Sequence, residues 1–169
     1  MLALTATATP EVVDDIQVRL NFPQKNLFQK SFERQNLVYV VRYVEDKLEQ
    51  LVHILNRVPG TSVVYVRSRK KTKEIADFLV QQGMSADYFH AGLSDEQKDR
   101  KQKAWKSGDC RVIVSTNAFG MGIDKPDVRT VVHMDLPDTL EAYFQEAGRA
   151  GRDEQRAFAI LLYNKTDET

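Results

Sequence analysis

Apolar runs and amphipathic segments alternate along most of the chain. Short runs rich in β-branched and aromatic residues predict strands, and longer segments with apolar residues three or four apart predict helices. The predicted strands cover residues 37–44, 62–66, 85–89, 111–115, 130–134 and 157–163, and the predicted helices cover 46–58, 69–82, 94–108 and a segment beginning at residue 138. Such alternation favours a mainly parallel sheet covered on both faces, so it predicts a three-layer α/β/α fold.

The first 36 residues do not follow this alternation. Residues 2–6 and 27–32 are predicted to form short strands, and a helix over 10–20 begins with Thr9 as its cap and Pro10 at its first position. We expect a boundary near residues 30–36, before the regular pattern begins. The first helix is expected to bury four apolar residues, which are Val12, Val13, Ile16 and Leu20.

The helix predicted near residue 138 carries two arginines towards its end. Asp138 and Glu141 have the spacing of a capping box, which places the start of the helix. If the helix continues past residue 148, a rotation of ~100° per residue brings Gln145, Arg149 and Arg152 onto one stripe.

Two glycines lie beside these arginines. Gly148 and Gly151 each cost about 1 kcal/mol relative to alanine inside a helix, so they predict fraying or a close backbone approach. Two guanidinium groups on a glycine-flanked face suit a phosphoryl group, because the planar fork stays charged and binds oxygens bidentately. An exposed helix end whose arginines interact with the helix dipole explains the same pattern, and both interpretations stay open at this point.

Open parallel sheets bind ligands beyond the carboxyl ends of their strands, which directs attention to the loops after the predicted strands. Residues 67–73 hold five basic side chains and no acid at the start of a helix, and they fit contacts with a phosphate backbone. A solvated helix face is the commoner explanation of such a run. For the second basic segment, residues 98–106, we prefer the solvated face.

Residues 116–126 combine polar groups, glycines and an acid directly after a strand. Hydroxyl groups and exposed backbone N–H groups in a glycine-rich turn suit phosphate or sugar oxygens. Asp124 is placed to accept a hydrogen bond from a ribose hydroxyl or to orient an arginine. A tight crossover with a turn at residues 125–126 is the alternative.

Composition narrows the class of protein. The formal net charge of zero argues against a chain that is basic throughout, and no apolar run approaches the ~20 residues that span a bilayer, so no membrane partner is expected. Cys110 is the only cysteine, which excludes an internal disulfide or a cysteine-cluster zinc site and favours a reducing compartment. The three histidines have no ligand spacing, so no metal site is predicted.

The sequence has the arginine side of a phosphoryl-transfer site without the rest of it. It contains no G-x-x-x-x-G-K-[ST] loop and no acidic strand end suited to Mg²⁺. We therefore expect one half of a site that another lobe completes. The chain also begins inside an apolar run, so we expect it to be part of something longer.

An ordered set of segments across nearly the whole chain resembles the second RecA-like lobe of RecQ-family DNA helicases, which belong to superfamily two. The Ala-Phe-Gly-Met-Gly run at 118–122 and Gln145 favour RecQ over DEAD-box RNA helicases. Gln35 departs from the family, which usually has proline there. The segments that carry the resemblance are 2–9 (motif III), 63–69 (motif IV), 89–93, 118–126 (motif V) and 145–153 (motif VI).

The resemblance implies an ATP-driven motor that binds ATP and Mg²⁺ between two RecA-like lobes, with single-stranded DNA lying across both. It assigns Arg152 as the arginine finger, Arg149 as its partner, and Gln145 as the residue that couples nucleotide state to DNA. The implied nucleotide-binding residues are Gly120, Asp124, Arg149 and Arg152. The implied DNA-binding residues are Arg69, Ser68, His90, Thr116 and Asn117. Thr5 and Thr7 would lie at the lobe junction.

The same resemblance predicts how this chain is organised and what it meets. Residues 1–32 would be the end of the first lobe and a linker, and residues 33–169 would be the second lobe. The expected partners are single-stranded and partly duplex DNA and the first lobe of the same chain, in an intracellular setting that is nucleoid-associated, or nuclear in a eukaryote. ATP and Mg²⁺ would be held mostly by the first lobe, with no cofactor tightly bound here. DNA repair and recombination are implied.

A noncatalytic nucleic-acid-binding module that uses only the basic strand ends is the alternative from another class. Salt-dependent binding of single-stranded DNA by the 169-residue chain tests it. Under the helicase interpretation, we expect weak DNA binding and no ATPase activity from these residues alone.

Overall fold

The computed structural model describes residue 3 and residues 8–28, 33–119 and 124–167. The chain divides into two compact units, Met1–Arg34 and Gln35–Thr169. Thr5, Thr7 and Gly120, with the predicted strand at 2–6 apart from residue 3, lie outside the described residues.

The described part of the first unit is built on helix α1 (Pro10–Arg19). The Thr9 side chain caps this helix by accepting from the Val12 amide, as predicted. No residue of α1 is buried, and Val12 and Leu20 are exposed, so the predicted burial is wrong. A unit of about 34 residues has too little chain to enclose an apolar helix face. Leu27 and Phe28 are not part of a strand, and residues 29–32 of that predicted strand lie outside the described range.

In the described part of the second unit, six parallel strands form one sheet in the order β1-β6-β5-β2-β4-β3. The predicted α/β/α fold is confirmed, and every strand pair is parallel. The strands are β1 (Leu37–Tyr43), β2 (Thr61–Tyr65), β3 (Ala86–Phe89), β4 (Val112–Ser115), β5 (Val128–His133) and β6 (Ala157–Tyr163). The helices are α2 (Lys47–Arg57), α3 (Arg69–Gln81), α4 (Asp95–Ser107) and α5 (Leu140–Ala147).

The sheet is buried on both faces because alternate residues of its central strands enter two separate cores. Val63 of β2 packs with Trp105 of α4 and with α5, whereas Val64 packs with Leu51 of α2 and Leu79 of α3. Helices α2 and α3 therefore cover one face, and α4 and α5 cover the other. This arrangement leaves the carboxyl ends of the strands as the edge where loops gather.

Local capping signals fix where most helices start. Ser94 and Gln97 form the predicted capping box of α4, and Gly108 ends that helix with a φ of 92°. Helix α5 differs from its prediction, since Thr139 caps it rather than Asp138. The Asp138 carboxylate instead accepts from Arg67 Nη2 at 2.9 Å, so a tertiary contact removes it from the capping position.

Candidate nucleotide and nucleic-acid site

The arginines of residues 149–152 lie on a turn and not on a helix. Helix α5 ends at Ala147, and Gly151 has a φ of +63°, which a continuing helix does not allow. The predicted single stripe of Gln145, Arg149 and Arg152 is therefore wrong. The Gly151 amide donates to the Val128 carbonyl at 2.8 Å, so the predicted close backbone approach is confirmed at this glycine.

Arg152 makes an ion pair with the acid of the glycine-rich segment. Its Nη1 donates to Asp124 Oδ1 at 2.7 Å, and the two side chains are 41% and 76% exposed. The sequence left open a contact of Asp124 with a ribose hydroxyl or with an arginine, and the structure shows the contact with an arginine. The pair leaves the guanidinium at the surface, where it can meet a phosphate.

Arg149 is half-buried. Its positive charge lies near the hydroxyl of Tyr65, the last residue of β2. The same hydroxyl donates to the Phe119 carbonyl oxygen at 3.1 Å. Burial raises the pKa of Tyr65, and the nearby Arg149 charge opposes that rise only in part, so the phenol stays neutral.

The ring of Tyr65 packs on a buried histidine, which in turn contacts a glutamate. His133, at the end of β5, is only 1% exposed, and its Nε2 lies 2.7 Å from Glu146 Oε2 on α5. The His133 ring stacks on Tyr65 with centroids 5.1 Å apart and contacts the Tyr143 ring edge-on at 5.0 Å. These side-chain contacts therefore join the ends of β2 and β5 to α5.

Asn36 holds the arginine turn in place, a role that the sequence reasoning missed. Its Nδ2 donates to the carbonyls of Gly151 at 2.7 Å and Gln155 at 2.8 Å, which uses both amide protons. The Ala157 amide donates in turn to the Asn36 carbonyl at 2.9 Å. The one signal for Asn36 in the sequence was the Arg-Pro-Asn run that the family usually has at residues 34–36. Asn36 matches that run, whereas Gln35 stands in the place of its proline.

The basic run after β2 is largely paired with acids. Arg67 pairs with Asp138, and Arg69 is the one member of the run for which the described residues supply no ion-pair partner. The other pairs are Lys70 with Glu74, Lys71 with Asp135, and Lys73 with Asp77. The run therefore concentrates its unpaired positive charge at Arg69, which is exposed at the start of α3.

Arg69 and His90 lie together although 21 positions separate them. A Cβ at Gly92 would lie 3.3 Å from both Arg69 Nη1 and His90 Nδ1, so these two groups border the same small space. Partial burial, with the Arg69 and Lys101 charges, lowers the pKa of His90, which keeps its ring neutral at pH 7. Ser68 caps α3 through its side chain, which accepts from the Lys71 amide.

Thr116 and Asn117 have different exposures. Thr116 is 8% exposed, and its amide donates to the Phe89 carbonyl at 3.3 Å, whereas Asn117 is exposed. Both line a cavity of about 360 Å³ that Arg67 and Glu146 also border. The cavity thus lies between the loops after β2, β4 and β5, where the sequence placed the candidate site.

Lys101 does not fit the interpretation of residues 98–106 as a solvated helix face. Lys98 and Lys103 pair with acids on the surface of α4, as a solvated face would. Lys101 is only 5% exposed, pairs with Asp87, and lies 3.9 Å from the centroid of the Tyr88 ring. The buried amine contributes to the packing of α4 on β3, so the solvated interpretation is wrong for this residue.

Comparison with known proteins gives the family. Residues 46–154 match the helicase conserved C-terminal domain. The chain belongs to that family. It is of the RecQ type, since it is 44% identical to the RecQ-like DNA helicase BLM of Xenopus laevis over 100% of this chain and 13% of that protein. It is also 41% identical to the ATP-dependent DNA helicase RecQ of Pasteurella multocida, over 99% of this chain and 27% of that protein. The family resemblance seen in the sequence is confirmed.

Solved structures confirm the RecA-like fold. The E. coli DEAD-box protein SrmB is similar with a TM-score of 0.71 and 27% identity, over 82% of this chain and 81% of that one. S. cerevisiae Dbp5 has a TM-score of 0.79 at 22% identity, over 96% of this chain and 43% of that one. The helicase lobe described here spans only 13–31% of the length of the curated relatives it matches.

The described residues contain neither a candidate metal cluster nor a candidate membrane-spanning helix. No group of three His, Cys, Asp or Glu side chains is arranged to hold a metal ion within this part of the chain. None of the helices that the structure describes has the length and apolar character that crossing a bilayer requires.

Proposed function

We propose that this chain is the second RecA-like lobe of an ATP-dependent DNA helicase of RecQ type, and that it contributes Arg152 and Arg149 to an ATP site completed by the first lobe. The observation that supports this most directly is the exposed Arg152 guanidinium, oriented by Asp124 at 2.7 Å. A guanidinium held at the surface fits the γ-phosphate of a nucleotide bound mainly elsewhere. ATP and Mg²⁺ would be held mostly by the first lobe.

The negative charge on the transferred phosphoryl oxygens has to be stabilised by donors that are already in place, because catalysis of phosphoryl transfer is mainly positioning and electrostatic stabilisation. Arg152 would serve as the arginine finger and Arg149 as its partner. Gln145, exposed in the last turn of α5, would couple nucleotide state to DNA. Gly120 stays a sequence prediction, as do Thr5 and Thr7 at the lobe junction.

Single-stranded DNA would lie across the loops after β2, β3 and β4. Arg69 beside His90 provides a charged donor and a neutral ring nitrogen, a pair that suits a phosphate oxygen. Asn117 is exposed, whereas Thr116 is buried and its amide already donates to the Phe89 carbonyl, which favours an indirect role for Thr116. Ser68 would contribute at the start of α3.

The proposal extends to the chain as a whole. Residues 1–32 would be the end of the first lobe and a linker, with 33–169 as the second lobe. The longer protein would act on single-stranded and partly duplex DNA in repair and recombination, inside the cell and in the nucleus of a eukaryote. The relatives include ATP-dependent DNA helicases, which supports an ATP-dependent action on DNA.

The deciding experiment compares ATP hydrolysis by the 169-residue chain with hydrolysis by a longer helicase chain that joins it to a first lobe. We expect no ATPase activity from the 169 residues and DNA-stimulated activity from the longer chain. Arg152→Ala in the longer chain should lower turnover by ~10³-fold or more, the scale of arginine-finger removal, while DNA binding persists. Near-normal turnover of that variant would rule out the finger role.

Arg156→Ala is the matched control. Arg156 is also exposed and lies four residues from Arg152, but its guanidinium sits 5.6 Å from the centroid of the Phe158 ring. Its removal should leave turnover within about 2-fold, since exposed substitutions away from a site have small effects. Equal single-stranded DNA affinity of the 169-residue and longer chains would instead favour a noncatalytic binding module.

A further inference from the structure

Arg129, the second residue of β5, donates hydrogen bonds from each of its three guanidinium nitrogens. Nε donates to the Asp127 carbonyl at 3.3 Å, and Nη1 donates to the Arg156 carbonyl at 2.8 Å. Both of these acceptors are main-chain oxygens, so the two bonds do not depend on the side chains of Asp127 and Arg156. Nη2 donates to the Asp153 carboxylate, in an ion pair whose side chains are 18% and 27% exposed. One guanidinium therefore joins the segment just before β5 to the turn that leads from α5 into β6.

The acid that Arg129 binds is the neighbour of Arg152 in the chain. Asp153 Oδ1 also accepts from the Gln155 amide at 3.0 Å, and the Asp153 amide donates to the Pro126 carbonyl at 3.1 Å. Partial burial disfavours the charged carboxylate, but the hydrogen bond and the charge of Arg129 hold the pKa of Asp153 below its usual value. Asp153 is thus ionised at pH 7 and is held through both its side chain and its main chain, directly beside Arg152.

The same guanidinium holds the segment that carries Asp124. The Asp127 carbonyl, which accepts from Arg129, lies three residues beyond Asp124 in the chain. Asp124 itself accepts from Arg152 Nη1 at 2.7 Å. The chain on both sides of this ion pair is therefore tied to one side chain.

The Arg129 side chain has little space in which to move. Its stem passes against Gly60, where an added Cβ would lie 2.5 Å from Arg129 Cγ and 3.4 Å from Arg129 Cβ. A guanidinium is also a rigid planar fork, so its hydrogen bonds fix the relative positions of the groups that accept them. A side chain locked in this way can set the spacing of the two segments that it joins.

We infer that Arg129 is a positioning residue, which sets the spacing between the turn that carries Arg152 and the segment that carries Asp124, and so holds the Arg152 guanidinium in the orientation that a phosphoryl group requires. The inference rests on the proposed function, because the orientation of Arg152 matters only if Arg152 acts on the nucleotide. It predicts that motifs V and VI are held together by an arginine that belongs to neither motif.

Arg129→Lys in the longer helicase chain is the test, because it keeps the positive charge but replaces the planar fork by a single amine. We expect kcat of the DNA-stimulated ATPase to fall about 10- to 100-fold, since small displacements of a catalytic group have effects of this size. KM for ATP and the affinity for single-stranded DNA should stay within about 2-fold, as expected when a transition-state contact is weakened.

Arg111→Lys is the matched control. Arg111 is also half-buried and donates to main-chain carbonyls, those of Gly60 and Val58 at 3.0 Å each and that of Leu55, none of which belongs to the two segments that Arg129 joins. Urea unfolding should show similar losses of stability for the two lysine variants, because both lose hydrogen bonds from a half-buried guanidinium. The kcat of Arg111→Lys should nevertheless stay within about 2-fold of the unsubstituted chain. Equal kcat values for the two variants would overturn the inference, because any loss would then follow from a general weakening of the fold.

Asp153→Asn tests the same link from its other end, and it serves if Arg129→Lys does not fold. The substitution keeps an oxygen for the Gln155 amide and removes the charge that attracts Arg129. We expect kcat to fall about 5-fold or more, with KM for ATP unchanged. A near-normal kcat would overturn the inference, because Arg129 would then not act on the turn through Asp153.

A double-mutant cycle with Arg152→Ala separates this inference from the proposed function. If Arg129 acts through Arg152, Arg129→Lys should lower kcat by less than about 2-fold in the Arg152→Ala background. An undiminished effect there would overturn the inference while leaving the finger role of Arg152 intact. Near-normal turnover by Arg152→Ala alone would instead show that the proposed role of Arg152 is wrong, and the inference would fall with it.

Discussion

The Arg152 guanidinium donates to the Asp124 carboxylate at 2.7 Å across 28 positions of sequence. Both side chains are substantially exposed, and pairs of this kind contribute little to stability, about 0–1 kcal/mol. The role that we propose for the contact is therefore to orient the arginine. It joins the segment after β4 to the turn after α5, the two segments that the family resemblance names as motifs V and VI.

Replacing Asp124 by asparagine should separate orientation from stability. Asp124→Asn keeps the shape but removes the charge that attracts Arg152, so we expect ATP turnover of the longer chain to fall by about 10-fold. The free energy of unfolding should change by less than about 0.5 kcal/mol, as for other exposed positions. Steady-state ATPase assays and urea unfolding measure the two effects.

Asp127→Asn is the control for this substitution. Asp127 is 57% exposed and pairs with Lys125 at 3.2 Å, so its substitution also removes the charge of an exposed aspartate in an ion pair but does not touch Arg152. Its turnover should match that of the unsubstituted chain. If the two asparagine variants have the same turnover, the pairing with Asp124 does not orient a catalytic arginine.

Asn36 should be sensitive to a change that replaces its amide donors by carboxylate acceptors. Asn36→Asp places carboxylate oxygens against the carbonyls of Gly151 and Gln155, which now accept from the amide at 2.7 and 2.8 Å. We expect the free energy of unfolding of the 169-residue chain to fall by about 2–3 kcal/mol, the scale of unsatisfied polar groups. Urea unfolding at pH 7 measures it.

The neighbouring substitution Gln35→Glu makes the same amide-to-acid change at an exposed side chain. Its free energy of unfolding should stay within about 0.5 kcal/mol of the unsubstituted chain. An equal loss for both variants would mean that the added negative charge, and not the lost hydrogen bonds, destabilises the chain.

Gly151 should not accept an alanine. Its φ is +63°, and an added Cβ would lie 2.7 Å from Asn36 Nδ2, 2.8 Å from Ala157 Cβ and 2.9 Å from the Gln155 carbonyl oxygen. Gly83 has a φ of +80° but nothing within 4 Å of an added Cβ, so Gly83→Ala reports backbone strain alone. We expect a loss of about 1 kcal/mol for Gly83→Ala and about 2 kcal/mol more for Gly151→Ala.

Thermal or urea unfolding of the two alanine variants in parallel measures this difference. A Gly151→Ala chain as stable as Gly83→Ala would mean that residues 36, 155 and 157 relax away from the new methyl group. In that case the turn would not be held as tightly as its contacts indicate.

The features that were predictable from the sequence depend on neighbours along the chain. The capping box of Ser94 and Gln97 and the buried strand, predicted at 62–66 and observed at Thr61–Tyr65, are set by residues a few positions apart. The site depends on distant contacts. Asp138 was predicted as a cap from local spacing, but Arg67, 71 positions away, attracts its carboxylate.

The end of α5 shows the same limit for the candidate site. Helical periodicity placed Arg149 and Arg152 on one stripe, yet the chain leaves the helix after Ala147. Asn36 donates to the Gly151 carbonyl, 115 positions away, and that contact fixes a turn that periodicity does not describe. The sequence was therefore enough to predict which arginines are candidates for the site. Their arrangement depends on contacts between residues far apart in the chain and required the tertiary structure.

The stability of the 169-residue chain should fall as the pH rises above about 9. Burial, with the Asp87 charge, raises the pKa of Cys110 to about 11, and burial, with Tyr39 nearby, raises that of Tyr143 to about 12. Burial also raises the pKa of Tyr65. Because the folded state binds these protons more tightly than the unfolded state, their contribution is complete below the unfolded pKa values, about 9 for the thiol and 10 for the phenols. It is lost as the pH rises towards the folded values.

Tyr143→Phe isolates one of these groups. Between pH 10 and the folded pKa of about 12, Tyr143 should contribute a slope approaching about 1.4 kcal/mol of unfolding free energy per pH unit. Urea unfolding followed by circular dichroism at pH 8, 9.5, 10.5 and 11.5 should therefore give a shallower decline for the phenylalanine variant, with curves that diverge only above about pH 10. Parallel curves over that range would mean that the Tyr143 hydroxyl ionises as easily in the folded chain as in the unfolded one, and that its burial beside His133 does not protect the proton.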